Sequence, residues 1–100
     1  MVIIWSNFAK NNLRDFATST YMQHPKDYIK SLVNYVSILS EQNYLGNKLY
    51  SINNVEIRQL LYKKHRILYS INNNAVQILA VVHVIQDLTT TINYIKRFLQ

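Results

Sequence analysis

A cluster of basic side chains in the second half of the chain has the composition of a site that could act on phosphate groups. Five basic residues fall within nine positions: Arg58, Lys63, Lys64, His65 and Arg66. Three tyrosines are interleaved with them: Tyr50, Tyr62 and Tyr69. On a sheet, cations that hold phosphates and rings that stack on bases are typical of nucleic-acid binding. A structural interpretation stays open, because turn lysines are usually only solvated and an arginine that alternates with apolar residues can order a sheet.

The histidines and carboxylates form no common catalytic or metal-binding motif. His24, His65 and His83 lack the i,i+4 spacing of a helical zinc site, and the five carboxylates are scattered. A single glycine cannot build a phosphate-binding loop, and the absence of cysteine excludes disulfides and thiolate ligands. We therefore expect neither a metal nor another cofactor. His83 lies in the most apolar segment and is interpreted as a core or near-core histidine, although it could transfer a proton near neutral pH.

The composition predicts one small folded domain, residues 1–100. Hydrophobic residues make up 49% of the 100 residues and charged residues 16%, which suffices for a single core. Eleven Lys and Arg against five Asp and Glu give a formal charge of +6, which favours an acidic partner: nucleic acid, an anionic surface or an acidic protein. No signal peptide is recognisable, and no stretch approaches the roughly 18 apolar residues of a membrane span. We expect a cytoplasmic protein without membrane contact.

The first third of the chain predicts a strand and two helices. Val2–Trp5 is β-branched and aromatic, and it predicts a strand buried on both faces. Apolar residues at steps of three and four then predict a helix from about Asn7 to Tyr21. Pro25 suits the first turn of a second helix, which we expect to end near Gly46. Two helices with so short a connection form an antiparallel hairpin.

From Leu49 onward, alternating apolar residues predict a meander of three antiparallel strands and then a short helix. The segment from Ala75 to Val84 follows an Asn-Asn-Asn turn and is apolar on both faces. It is therefore predicted to be central, between the preceding strand and Val2–Trp5. Asp87 can cap the last helix, and Lys96 and Arg97 favour its negative end. Its apolar edge is formed by Ile92, Ile95, Phe98 and Leu99.

Together these elements predict an α+β fold. An N-terminal strand precedes an antiparallel helical hairpin, which packs on one face of a small twisted antiparallel sheet, and a short C-terminal helix follows. The other face of the sheet is expected to stay partly open, as a partner surface on a basic protein.

Four segments in this order resemble the RelE/ParE superfamily of toxins from type II toxin–antitoxin modules, over nearly the whole chain. They are Ile4-Trp5-Ser6 with Ala9, Leu13 and Arg14; Ile57-Arg58-Gln59-Leu60; His65-Arg66-Ile67-Leu68-Tyr69; and Ile78-Leu79-Ala80-Val81-Val82-His83 with Gln86-Asp87-Leu88. The resemblance implies the RelE/ParE-like fold, growth inhibition, a role in plasmid stabilization and a cognate antitoxin with an acidic, amphipathic segment.

The two branches of the superfamily differ in chemistry. RelE-like members cut messenger RNA on the ribosome with several Arg and Lys residues and a Tyr or His near the chain end, whereas ParE-like members inhibit DNA gyrase. The segment after the last strand of this chain has His83 but no arginine, which is a poor nuclease constellation. The spacing of Val81, His83, Asp87 and Leu88 before a helix is similar to ParE. ParE often carries arginine where this chain has Ile85 or Gln86.

The resemblance thus implies a ParE-like gyrase inhibitor that is not an enzyme. The alternative is a RelE-like, metal-independent and ribosome-dependent mRNA endonuclease with His83, Arg66 and Arg58 as catalytic residues. A third possibility is a member that only binds its antitoxin. Candidates for target-binding or nucleic-acid-facing residues are Arg58, Tyr62, Lys63, Lys64, His65, Arg66, Lys96 and Arg97.

Overall fold

The computed structural model describes residues 1–18 and 22–99, which form one five-stranded sheet with helices on both of its faces. The elements in chain order are β1 (Val2–Trp5), α1 (Asn7–Ala17), α2 (Pro25–Val36), a 3-10 helix (Ser37–Ser40), β2 (Asn47–Ile52), β3 (Val55–Tyr62), β4 (His65–Asn72), β5 (Ala75–His83) and α3 (Thr89–Phe98). The strand order is β1-β5-β4-β3-β2. β1 pairs with β5 in parallel, and the other pairs are antiparallel. The predicted α+β class and the central place of β5 are confirmed.

Ser6 determines where α1 begins. Its hydroxyl accepts a hydrogen bond from the Ala9 N–H at 3.0 Å and donates one to the Leu79 carbonyl at 3.1 Å. The first bond satisfies an amide that the helix itself leaves free, and the second ties the helix start to β5. The described helix ends at Ala17, whereas the prediction extended it to Tyr21, which lies outside the described residues.

The predicted end of the second helix near Gly46 is wrong. α2 ends at Val36, and a 3-10 turn and a loop follow. Gly46 is needed for a close approach instead: a Cβ atom there would lie 2.5 Å from the Gln59 carbonyl oxygen and 2.8 Å from the Tyr69 ring. The glycine therefore lets the loop cross tightly over the sheet, and it is not a helix stop.

The predicted meander of three strands is also wrong, because the chain forms four. Asn53 and Asn54 have φ angles of 51° and 65° and make a tight turn, which adds β2 to the edge of the sheet. Asn73 and Asn74, at 51° and 58°, make the matching turn between β4 and β5, as the sequence predicted. Asparagine tolerates this left-handed conformation better than most residues, so both turns follow from local chemistry.

The sheet has a hydrophobic core on each face. The helical hairpin covers the first core, where Ala9, Leu32 and Val36 pack on Ile67, Tyr69 and Ile78. On the opposite face, Ile92 and Ile95 of α3 pack on Leu68, Leu79 and Ala80. The expectation of a partly open face is therefore wrong, because α3 has an apolar edge that must be buried and the second face is where it packs.

β1 is an edge strand, which contradicts the prediction that it is buried on both faces. Ile3 and Trp5 pack against the first core, but Val2 and Ile4 stay 67% and 49% exposed. A short apolar run cannot by itself distinguish a central strand from an edge strand, because that difference depends on neighbours elsewhere in the chain. Within residues 1–18 and 22–99, no helix is long and apolar enough to cross a membrane.

Candidate functional site

An open cleft of about 1080 Å³ lies where α1, the β3–β4 turn, the end of β5 and the start of α3 meet. Phe8, Phe16 and Val81 contribute apolar surface to it, and Lys63 and Lys64 of the turn contribute two cations. Its further polar lining includes Asn12, Asp15, His83, Gln86, Asp87, Thr90 and Thr91. The cleft therefore combines an apolar interior with charged side chains of both signs, two lysines and two aspartates, which suits the binding of an amphipathic ligand.

His65 joins both helices of the hairpin to the sheet at this cleft. It is only 3% exposed, and its Nδ1 lies 2.6 Å from the Tyr28 hydroxyl of α2, in one hydrogen bond. Its ring is 4.4 Å from the Phe16 ring of α1 and 5.3 Å from the His83 ring of β5. Burial, together with the nearby His83, lowers the pKa of His65 to about 4. The imidazole is therefore neutral at pH 7 and is a packing residue, not a surface cation.

Tyr28, Tyr62 and Lys63 form a compact group beside His65. The two tyrosine rings lie 5.7 Å apart, and the Lys63 ammonium lies 5.7 Å from the Tyr28 centroid and 5.4 Å from the Tyr62 centroid. These distances are typical of cation–π contacts. Burial is the main cause that raises the pKa of Tyr28, and Tyr62 adds to it, while a backbone hydrogen bond from Lys64 opposes the rise. Tyr28 therefore stays protonated at neutral pH.

Lys63 has an unusual backbone conformation for its residue type. Its φ angle is 50°, in the left-handed region where the chain otherwise places only asparagines among the described residues. Lysine has no short polar side chain with which to compensate locally, and the conformation costs roughly 1–2 kcal/mol. The β3–β4 turn is thus strained in a way that the two Asn-Asn turns are not.

Arg66 faces away from the helical hairpin, on the side of the sheet that α3 covers. Its guanidinium donates hydrogen bonds to the Val84 carbonyl at 2.9 Å and to Gln59 Oε1 at 3.0 Å. These bonds tie the segment after β5 back to β4 and β3. Both terminal nitrogens of Arg66 thus bond to groups of the protein, as expected of an arginine that orders the sheet, while its buried Nε has no hydrogen-bond partner among the described residues.

Arg58 is likewise engaged, at a distance from the cleft. Its guanidinium donates to the carbonyls of Gly46 and Tyr44, forms an ion pair with Glu56 and lies over the Tyr44 ring. It is four residues along β3 from Tyr62, which corresponds to roughly 13 Å along a strand. Arg58 therefore secures the loop before β2 and does not line the cleft.

The remaining candidate residues are dispersed. His83 lines the cleft, is partly exposed, and accepts a hydrogen bond at Nδ1 from the Ile85 N–H at 3.2 Å. Lys96 and Arg97 are exposed in the last turn of α3, on the other side of the sheet from the hairpin. The structure brings together Tyr62, Lys63, Lys64 and His65, with His83 beside them. It separates Arg58, Arg66, Lys96 and Arg97 from that group.

Sequence reasoning missed Tyr28, Phe16 and Ile85 at this cleft. The sequence assigned Tyr28 and Phe16 only to the apolar stripes of their helices, because no local sequence pattern indicates that both side chains contact the distant His65. Ile85 is 84% exposed, and the signal that pointed to this position was the family resemblance, in which ParE often carries arginine at Ile85 or Gln86. In the part of the chain that the structure describes, no three His, Cys, Asp or Glu residues are grouped as metal ligands.

Comparison with known proteins identifies the family. The sequence model of the ParE toxin of the type II toxin–antitoxin system parDE matches residues 3–88. A search of curated proteins gave no match.

Three solved structures resemble this fold. A chain of the chromosomal ParDE system from P. aeruginosa is 16% identical, with a TM-score of 0.65, covering 84% of this chain and 96% of that one. A chain of the archaeal RelE–RelB complex from Pyrococcus horikoshii OT3 is 14% identical, with a TM-score of 0.65 and coverages of 86% and 97%. A chain of the toxin–antitoxin complex RelBE2 from Mycobacterium tuberculosis is 21% identical, with a TM-score of 0.63 and coverages of 82% and 88%.

At these identities the three structures establish the shared fold alone. The family match covers residues 3–88, which include all of the sheet except the first residue of β1 and end just before α3. The chain belongs to the ParE toxin family of type II toxin–antitoxin systems.

Proposed function

We propose that this toxin inhibits DNA gyrase and is neutralised by a cognate antitoxin in the cytoplasm. The observation that favours gyrase inhibition over RNA cleavage is the hydrogen bonding of the two arginines on the sheet. Arg58 and Arg66 both donate their guanidinium hydrogen bonds to groups of the protein itself, and neither is among the residues that line the cleft. A site that cleaves RNA needs such charges aimed at the scissile phosphate.

An mRNA endonuclease is the second candidate, and one specific observation favours it. Lys63, Lys64 and His83 line the same cleft, which would supply two cations and one group able to exchange a proton. His65 adds nothing to this chemistry, because it is buried, neutral and bonded to Tyr28. We place this function second because a single partly exposed histidine is a weak acid–base arrangement.

The partner proposal rests on charge and on the neighbouring structures. Those similar structures are toxin–antitoxin complexes, and the formal charge of +6 suits a partner with an acidic, amphipathic segment. We infer that the antitoxin is encoded by the gene next to that of the toxin, and that binding it covers apolar surface on this small protein.

Two parallel reactions test whether the target is gyrase or mRNA. The purified chain is added to gyrase with relaxed plasmid, and to a cell-free translation reaction in which mRNA integrity is followed. We expect loss of supercoiling with mRNA intact, and the same chain preincubated with its antitoxin should inhibit neither reaction. In cells, induction should trigger a DNA-damage response before translation falls. Early mRNA cleavage with normal supercoiling would establish the endonuclease in its place.

A further inference from the structure

We infer that the β3–β4 turn and Ile85 form the surface with which this toxin contacts an acidic patch on its target protein. The surface consists of Lys63, Lys64 and Ile85. The inference rests on the proposed function, since it takes gyrase as the target.

The first argument comes from the three tight turns of the sheet. The β2–β3 and β4–β5 turns both use Asn-Asn with positive φ angles, whereas the β3–β4 turn places Lys63 at a φ of 50°. An asparagine at position 63 would adopt this conformation more readily, as it does at four other positions of the chain. Strained residues persist at functional sites when the side chain is needed there, so the lysine is best explained by its charge.

The second argument is that the charge of Lys63 is held in place. Its ammonium lies over the rings of Tyr28 and Tyr62, and Tyr28 is anchored in turn by its hydrogen bond to the buried His65. A long, freely rotating lysine loses conformational entropy when it binds a partner. A lysine already restrained against two rings loses less, so this arrangement is prepared for binding.

The third argument concerns Ile85, which is the most exposed large hydrophobic residue described. The Val84 N–H donates a hydrogen bond to the Lys64 carbonyl at 2.8 Å, so the segment that carries Ile85 is tied to the turn. An aliphatic side chain gains free energy by burial against apolar surface, and a phosphate backbone offers none. The combination of two lysines and an isoleucine therefore favours a protein surface over a nucleic acid.

Two carboxylates line the same cleft and offset part of its positive charge, but they lie on α1 and just before α3 and are not part of the surface formed by Lys63, Lys64 and Ile85. Asp15 and Asp87 also line the cleft, but Asp87 accepts hydrogen bonds from the N–H and the hydroxyl of Thr89 at the start of α3. Its charge thus serves the helix terminus. With a formal charge of +6 on the whole chain, carboxylates around an apolar contact are the complementary chemistry expected of the partner.

The turn offers a variant that removes the charge without harming the fold. Asparagine suits the positive φ angle of position 63, whereas the Lys63→Asn/Lys64→Asn variant also loses the contacts of the Lys63 ammonium with the Tyr28 and Tyr62 rings. These two effects oppose each other, so we expect a melting temperature close to that of the wild type and inhibition of gyrase supercoiling weakened by about tenfold or more. Lys10→Gln/Lys48→Gln is the matched control, because it also lowers the formal charge by two at exposed positions outside the cleft. We expect the control to inhibit gyrase like the wild type.

Ile85→Ser tests the apolar part of the surface, and antitoxin affinity is measured for every variant. We expect Ile85→Ser to melt normally and to weaken gyrase inhibition, while all variants keep antitoxin binding. A double-asparagine variant as inhibitory as the wild type would overturn the inference while the proposed function stands. Three other outcomes would also overturn the inference. An equal loss of gyrase inhibition in the Lys10→Gln/Lys48→Gln control would indicate an effect of net charge, and a loss of antitoxin binding in the double-asparagine variant would indicate an antitoxin surface. A loss of gyrase inhibition in the double-asparagine variant but not in Ile85→Ser would indicate phosphate binding. A wild-type chain that leaves gyrase active overturns the proposed function and this inference together.

Discussion

At the scale of single residues, His65 should make the fold sensitive to acid. The ordinary pKa of a histidine is about 6.5, and burial lowers the pKa of His65 in the folded chain to about 4. Between these values the unfolded chain binds the extra proton, so the free energy of unfolding falls as the pH falls. We expect full stability from this group above about pH 6.5 and a loss of about 2–3 kcal/mol by pH 4.

Urea unfolding at a series of pH values between 7.5 and 4 measures this loss. Phe16, Tyr28 and His83 are the aromatic contacts described for this ring, and none of them is a carboxylate that would stabilise an added positive charge. Lys63, Lys64, Asp15 and Asp87 are the charged residues that line the same cleft. His65→Asn is the control, since the amide does not titrate and can still bond to the Tyr28 hydroxyl. Equal losses in the wild type and in this variant would show that other groups cause the acid sensitivity.

Arg66→Ala and His83→Ala should act mainly through folding. Arg66 makes two side-chain hydrogen bonds that join β3, β4 and the segment after β5, and its loss leaves a carbonyl unpaired, at a cost of about 1–3 kcal/mol. The His83 side chain accepts one hydrogen bond, from the Ile85 N–H, so its removal should lower the free energy of unfolding by less. Thermal melting and gyrase supercoiling are measured for both variants. Native melting with complete loss of inhibition would instead mark either residue as part of the functional surface.

At the scale of elements, α3 has two roles that can be separated. Ile92 and Ile95 are buried against the second face of the sheet, whereas Phe98 is 57% exposed and Lys96 and Arg97 are exposed beside it. Truncation after Leu88 would expose the second core, so we expect a large fall in the melting temperature. The helix is therefore a structural element first.

Point variants of α3 test whether this end of the chain also contacts the target. Lys96→Gln/Arg97→Gln keeps the buried residues, so we expect near-native melting, weaker gyrase inhibition and unchanged antitoxin affinity. Ile95→Ala is the structural comparison and should lower stability by about 2–5 kcal/mol. A charge variant that inhibits gyrase as well as the wild type would limit α3 to its structural role.

At the scale of the whole molecule, charge and exposed apolar surface predict dependence on a partner. A formal charge of +6 is combined with exposed large hydrophobic residues on β1, α2 and the segment after β5. We expect the chain to be poorly soluble or toxic when expressed alone, and soluble when co-expressed with the product of the neighbouring gene. The measurements are soluble yield and co-purification. Free expression without binding to that product would contradict the toxin–antitoxin assignment.

Local patterns in the sequence determined most of the elements. Period-two alternation predicted β3 and β4, a run that is apolar on both faces predicted β5, and steps of three and four predicted the helices. Asn73-Asn74 predicted a turn that the structure confirms. β2 was missed because it is an edge strand with little alternation. The Asn53-Asn54 pair carries the same turn signal as Asn73-Asn74, and the prediction did not use it. The family resemblance, stated on four short segments, is confirmed by the match of the ParE toxin family model to residues 3–88.

Only the tertiary structure decided what the notable side chains do. Sequence spacing placed five basic residues together, but alternation along β4 sends His65 to the hairpin face and Arg66 to the α3 face. The partners of these residues, Tyr28 and Val84, lie 37 and 18 positions away in sequence. Whether β1 is central or at the edge, and which face α3 covers, depends in the same way on distant neighbours. Periodicity reports that a face must be buried, and it carries no information about which segment buries it.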